Sequence, residues 1–154
     1  MGIQTIANTN NAFSAPNISF YSPNAGAILE VQNGDTVTLP PGTLVAILTT
    51  AAVTTGPVQV NRSSTSASNL NLGVVVGQTI AVGKAGTILT EGFCLVNNGT
   101  ASGTTAGHFL VADTSVRGAV TDGGTTVATT GTAVGIALST TAVSLPVLAY
   151  IHKM

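Results

Sequence analysis

The sequence predicts an all-β fold, a sandwich or barrel of short strands in a single domain, and two observations carry that prediction. Runs rich in β-branched residues recur at short spacing along the 154 residues, and Gly, Asn, Asp or Pro bounds each of them. Helix signals are nearly absent, because no apolar stripe at helical spacing faces a charged side and Glu, Lys and Arg are scarce. A chain of this length buries a core without disulfide or metal support.

Turn residues separate the predicted strands in chain order. The pair Asn33-Gly34 between two alternating runs favours a type I′ hairpin, because that turn needs positive φ at both central residues. Segment 40–42, Pro-Pro-Gly, ends one strand, and segment 122–124, Asp-Gly-Gly, ends another. The predicted strands are 27–32, 35–39, 43–50, 57–61, 72–76, 78–82, 86–90, 92–96, 107–112, 115–121, 133–138 and 146–152.

A weak internal echo links two of these runs. Residues 73–76, Gly-Val-Val-Val, and 135–138, Gly-Ile-Ala-Leu, each follow a small-residue loop and lie roughly 60 residues apart. No strict shorter period accompanies them, so neither a solenoid nor a propeller is expected.

Residues 1–25 differ from the body and predict an extended N-terminal arm, which precedes a β domain over residues 26–154. The arm is rich in Asn and holds half of the chain's Phe and Tyr residues, namely Phe13, Phe20 and Tyr21. Large aromatic side chains are favoured anchors at protein interfaces. Two interpretations stay open at this point: the arm binds another subunit, or it folds back on its own domain.

The composition indicates a surface that other protein subunits cover. Only 6% of the residues are charged, against about 25% in ordinary soluble domains, while 44% are hydrophobic and the net charge is −1. A freely diffusing domain normally keeps charges of both signs on its surface to oppose association. Disorder does not explain the composition, because Val, Ile, Leu and Ala are abundant enough for burial to offset chain entropy.

Membrane and secretory segments are not expected. The best apolar run, 44–53, is shorter than the roughly 20 residues of a spanning helix and contains Thr49 and Thr50. The N-terminus lacks a basic segment followed by an apolar one, so synthesis and assembly in the cytoplasm are expected.

The chain carries too few chemical groups for an expected catalytic or metal site. No nucleophile elbow, phosphate-binding loop, dinucleotide motif or zinc-protease motif occurs, so we expect no enzyme, cofactor or metal. Nucleic-acid binding is disfavoured because the four basic residues are scattered. The titratable groups are Glu30, Asp35, Glu91, Asp113, Asp122, Arg62, Lys84, Arg117, Lys153, His108 and His152.

Two of the reactive residue types have structural interpretations. A proximity of His108 and Asp113 would favour a structural hydrogen bond over catalysis, because one His with one carboxylate on adjacent loops is common. Cys94 lies in an apolar stretch and is predicted to be a buried, inert core thiol.

The order of strand motifs resembles the capsid cement (decoration) proteins of tailed bacteriophages. The motifs are residues 42–46, 72–76, 80–82, 86–89, 107–112, 134–138 and 147–151. The resemblance spans roughly residues 27–152. It implies a single β-sandwich or tulip-like barrel on the outer surface of an icosahedral head, bound to the major capsid protein as a homo-oligomer, with a trimer favoured over a dimer.

The same resemblance implies that the arm lies across neighbouring coat subunits. Its candidate coat contacts are then Ile3, Ile6, Phe13, Ile18, Phe20 and Tyr21. The alternatives are another virion or cell-surface structural module, such as a head-fibre base, and a carbohydrate-binding or receptor-binding domain. The missing Trp and the aromatic-poor loop tips argue against the carbohydrate-binding alternative.

Overall fold

The computed structural model of the chain describes residues 27–49, 56–64, 70–100, 102–126 and 133–152. The predicted arm, with its candidate coat contacts, lies outside these ranges. Within them the chain forms nine strands and no helix, which confirms the all-β fold. The strands are β1 Ala27–Asn33, β2 Leu44–Ile47, β3 Val58–Arg62, β4 Asn71–Val75, β5 Ala85–Val96, β6 Phe109–Ala112, β7 Val120–Asp122, β8 Ala133–Ala137 and β9 Val147–Ile151.

The first five strands close into a ring, which we call barrel 1. Its strand order is β1-β3-β2-β4-β5, and pairing of β1 with β5 closes it. All neighbours are antiparallel except β1 and β3, which are parallel. The interior is one apolar cluster made of Val31, Leu39, Val45, Val60, Val75, Ile80 and Ile88.

The chain forms a second ring, barrel 2, that shares β5 with the first. The order continues β5-β9-β8-β6-β7, and a parallel bridge between Asn98 and Val120 joins β7 back to the end of β5. Residues 85–91 of β5 pair with β1, whereas 92–96 pair with β9. Gly92, with φ of +126°, stands where the strand passes from one barrel to the other. That backbone conformation favours glycine.

The two barrels are structural repeats of one another. In barrel 1, Leu44 pairs with Val74 and a register shift follows Val45. In barrel 2, Phe109 pairs with Ile136 and a register shift follows Leu110, which is the position equivalent to Val45. The sequence echo at 73–76 and 135–138 therefore marks equivalent strands, β4 and β8.

Side-chain contacts repeat along with the strand register. The amide of Asn33 donates to the carbonyls of Val37 and Ile80, at 2.9 Å each. The amide of Asn98 likewise donates to the carbonyls four residues on and on the β8–β9 connection, at 3.3 and 3.1 Å. The short connections that cross the barrel ends are thus fixed by the same buried Asn in both repeats.

The predicted hairpin at Asn33-Gly34 is wrong. Neither residue has a positive φ, and β1 pairs with β3 in parallel. The side chain of Asn33 is buried and holds the connection that follows, while the amide of Gly34 donates to the carbonyl of Val60. Asn33 therefore serves here as the buried last residue of β1 rather than as part of a hairpin turn.

Other predicted strands are shorter or merged. Predicted strands 35–39 and 78–82 are reduced to a single bridge between Leu39 and Ile80, and predicted strands 86–90 and 92–96 are one strand. The predicted strand 115–121 starts only at Val120, because Asp113 accepts the amides of Ser115 and Val116 and holds a turn there. The predicted end at 122–124 is confirmed, since β7 stops at Asp122, whereas 40–42 forms a turn, with φ of +86° at Gly42, but ends no strand.

Candidate interaction surfaces

An ion pair between Asp35 and Arg62 joins the segment that follows β1 to the end of β3 in barrel 1. The carboxylate of Asp35 is buried and accepts hydrogen bonds from the side chain of Arg62 at 3.0 Å and from its backbone amide at 2.9 Å. Burial raises the pKa of Asp35, but these bonds, the amide of Thr36 and the charge of Arg62 outweigh it and hold the pKa well below its usual range. Both side chains are paired with each other within the fold, so the ion pair is structural.

His108 pairs with Asp122 and not with Asp113. Its Nδ1 atom lies 2.8 Å from Oδ1 of Asp122. Burial raises the pKa of Asp122, but hydrogen bonds from the amide of Gly124, from His108 and from the amide of Thr105 lower it below its usual value. Asp122 lies near His108 because it pairs with Leu110 across β6 and β7, whereas Asp113 follows the other end of β6 and holds the turn there.

Reactive and metal-binding groups do not form a cluster in the described part of the chain. Cys94 is 3% exposed, and burial raises the pKa of its thiol to about 12, which confirms the buried core cysteine. Within the described ranges no group of three or more His, Cys, Asp or Glu side chains is close enough to hold a metal ion. No helix among the described residues is long and apolar enough to cross a membrane.

The outer surface of barrel 2 carries an apolar row across four strands, which we call the wall of barrel 2. Strand pairing sets Phe93 beside Tyr150, Tyr150 beside Ile136 and Ile136 beside Phe109, all on one face. Phe93 is 39% exposed, and the other three are half-buried. The rings of Phe93 and Tyr150 lie 5.0 Å apart, which fixes this end of the row.

Three of the four residues in the equivalent row of barrel 1 are covered, and only Ile28 is exposed, by 47%. Its members are Ile28, Leu89, Val74 and Leu44, and the last three are fully buried. These three belong to the same cluster as the interior of barrel 2. A small cavity at this junction is lined by residues of both barrels, including Leu44 from barrel 1 and Val134 and Ile151 from barrel 2. The wall of barrel 1 therefore closes one end of barrel 2.

The matching end of barrel 1 is apolar and is left open by the residues that the structure describes. We call it the mouth of barrel 1; its inward-facing side chains are Leu29, Ile47 and Val58, exposed by 37%, 36% and 43%. Leu29 pairs with core residue Ile88 and Ile47 pairs with core residue Val60, so both point toward the barrel axis.

Barrel 2 is closed at the corresponding positions. Cys94 takes the place of Leu29 and Ala112 that of Ile47, since each pairs with an inward-facing residue of its own barrel. Both are buried in the cluster that includes the wall of barrel 1. At the internal junction, the end of barrel 2 packs on the wall of barrel 1. The mouth of barrel 1 is the equivalent of that end, and the wall of barrel 2 is the equivalent of that wall.

Sequence reasoning did not find either surface. The single available signal was the echo at 73–76 and 135–138, which marks the repeat but not which face of it is covered. Leu29, Ile47 and Val58 sit in strands where apolar residues are expected to be core, so their exposure is visible only once the ring closes.

Comparison with known proteins shows the fold. No protein-family model matches the sequence, and no curated protein sequence matches it. The structure is similar to the crystal structure of the head fiber gp8.5 N base in bacteriophage phi29, with a TM-score of 0.55 and 14% sequence identity. The match covers 84% of this chain and 98% of that chain. The two chains thus share nearly the whole β fold at low sequence identity.

Proposed function

We propose that this protein is a structural component of a bacteriophage virion that binds the outer surface of the head, contacts the major capsid protein and stabilises the coat lattice. The fold likeness carries the proposal, because nearly all of a head-fibre base is matched. The motif order that resembles capsid cement proteins and the charge fraction of 6% support the same role.

The proposed role is binding without catalysis. A protein that binds only the assembled coat stabilises it in proportion to its occupancy, and many copies per particle multiply the effect. An extended arm adds to this by pairing with an exposed strand edge of a coat subunit, where main-chain hydrogen bonds give affinity and aromatic anchors set the register. The described titratable side chains Asp35 and His108 are each engaged within the fold, which fits a role that needs no acid or base.

Deletion of residues 2–24 tests the coat contact. We expect the truncated protein to lose co-sedimentation with expanded heads by at least about 10-fold while its thermal unfolding is nearly unchanged, because the anchors lie in the arm and the cores lie in the barrels. Phe13→Ala with Phe20→Ala and Tyr21→Ala should act in the same direction at full length. A matched control replaces Asn8, Asn10 and Asn17 by Ala. Undiminished binding of the truncated protein would contradict the arm contact.

A second candidate, a head-fibre base, is favoured by the identity of the similar structure. The two roles differ in what binding does to the head. The protein is added back to heads that lack it, and the temperature at which the heads release DNA is measured. A cement protein should raise that temperature, whereas a fibre base should bind and leave it unchanged. Electron microscopy of the same particles gives the second measurement, because density distal to the bound protein indicates a fibre base.

A further inference from the structure

We infer that copies of this protein associate head to tail, with the wall of barrel 2 of one copy seated on the mouth of barrel 1 of the next. The occupant of each surface is thus a second copy of this chain. The inference does not depend on capsid binding, and it assigns a defined contact to a homo-oligomer.

The internal junction shows what covers such a wall. In barrel 1 the wall residues Leu44, Val74 and Leu89 are fully buried because the end of barrel 2 sits on them. The wall of barrel 2 presents Phe109, Ile136 and others at equivalent strand positions with no described segment of the chain burying them fully. A second barrel-1 mouth offers the same kind of surface that barrel 2 already uses.

The mouth of barrel 1 has the chemistry that this contact needs. Leu29, Ile47 and Val58 are apolar and more than a third exposed, while Cys94 and Ala112 at two equivalent positions of barrel 2 are buried against a wall. Exposed apolar side chains gathered at one place mark an interaction surface, whereas single ones do not. The side chains are bulkier on both halves than at the internal junction, so copies should stand further apart than the barrels within one chain do.

The contacting side chains carry no charge, and the carboxylate of Glu91 at one end of the wall accepts a hydrogen bond from Tyr150 at 3.2 Å. The net charge is −1, and the three mouth residues and four wall residues are all uncharged. Repulsion between copies is therefore small, in contrast to a chain with a large net charge. Because wall and mouth are different surfaces, the contact is heterologous and either closes into a ring or continues as a filament.

Mixing two variants of the full chain tests the inference by sedimentation velocity. The wild type should sediment above the monomer, and Ile136→Lys in the wall or Leu29→Lys in the mouth should each weaken association by at least about 30-fold, as expected for a residue central to an interface. An equimolar mixture should form a discrete heterodimer, because one variant retains an intact mouth and the other an intact wall.

The control and a second pair of variants keep the test decisive. Val143→Lys, at a position 47% exposed on the β8–β9 connection, should leave association unchanged. Phe109→Lys and Ile47→Lys repeat the mixing test, with circular dichroism and thermal unfolding to verify each fold. A monomeric wild type, unimpaired single variants or a mixture that stays monomeric would overturn the inference. Loss of association in these variants with retained binding to heads would separate this contact from the coat contact.

Discussion

Barrel 1 and barrel 2 share one strand register but divide the burial of apolar surface unequally. Barrel 1 has an interior cluster of its own, with Leu39 and Ile80 meeting where the connections cross one end. The equivalent pair in barrel 2 is Thr104 and Thr141. The hydroxyl of Thr104 is buried and has no hydrogen-bond partner among the described residues.

Barrel 2 compensates by taking side chains from its neighbour. Its cluster includes Leu44, Val74 and Leu89, which point outward from barrel 1. Where barrel 1 uses Ile88, barrel 2 has the smaller Ala149. The two repeats therefore do not have the same core. The interior cluster of barrel 1 contains only side chains of barrel 1, whereas the cluster inside barrel 2 includes side chains from the outer face of barrel 1.

Substitution of the equivalent glycines of β4 and β8 should give the largest effect and test whether the repeats are equally tight. A Cβ at Gly73 would meet the carbonyl oxygen of Leu89, and one at Gly135 would meet that of Tyr150. Gly73→Ala and Gly135→Ala should each lower the free energy of unfolding by about 3 kcal/mol, because backbone atoms must move. Gly77→Ala, with open space but φ of +79°, should cost about 1 kcal/mol. Urea unfolding measures all three, and a cost at Gly135 as small as at Gly77 would break the equivalence.

Truncation of equivalent wall residues should separate the covered wall from the bare one. Val74→Ala should cost about 2 kcal/mol, because it opens space inside the junction. Ile136→Ala removes more atoms but should cost below about 1 kcal/mol at concentrations where the chain is monomeric, since the side chain is half-buried. Equal losses in urea unfolding would mean that the wall of barrel 2 is covered within the chain.

Acid should weaken barrel 1 more than barrel 2. The pKa of Asp35 is depressed in the folded state, so its contribution is full above the unfolded value of about 4 and is lost as pH falls below it. The equivalent residue in barrel 2 is Thr100; Asp122 there is more exposed and should give a smaller acid response. Asp35→Asn should cost about 1.5 kcal/mol at pH 7 and flatten the acid response of barrel 1. Hydrogen exchange resolved by residue, at pH 7 and 3, measures it, and identical acid sensitivity of the two barrels in the wild type would contradict this expectation.

The sequence predicted strands well where a β-branched run adjoins Gly or Pro, as at Asn71–Val75 and Val147–Ile151, whereas the predicted strand 43–50 is twice as long as the observed Leu44–Ile47. It failed where a buried side chain replaces a turn. The pair Asn33-Gly34 is typical of a hairpin turn, yet the side-chain amide of Asn33 donates to the carbonyl of Ile80, 47 residues along the chain, which no local pattern reveals. Segments 35–39 and 78–82 alternate like strands but pair only at Leu39 and Ile80, because their neighbours cross the barrel end.

The candidate surfaces were hidden for a related reason. Composition predicted a surface that other subunits cover, which remains a prediction, and the low charge does not show which side chains form an apolar wall. Yet Phe93 and Phe109 read as core residues of ordinary strands, because exposure depends on which barrel lies outside each strand. The predicted coat contacts of the arm, by contrast, remain predictions, since they lie outside the described residues.

We expect the sharing of β5 between the two barrels to set an order of folding. Residues 85–91 complete barrel 1, and residues 92–96 of the same strand begin barrel 2. As the chain leaves the ribosome, every strand of barrel 1 is available before β6 is made, and N-terminal units generally fold first during synthesis. Closure of barrel 1 then presents Val74 and Leu89 on the apolar wall of barrel 1. We therefore expect the later strands to assemble on a surface that is already in place, because the cluster that they bury includes side chains of barrel 1.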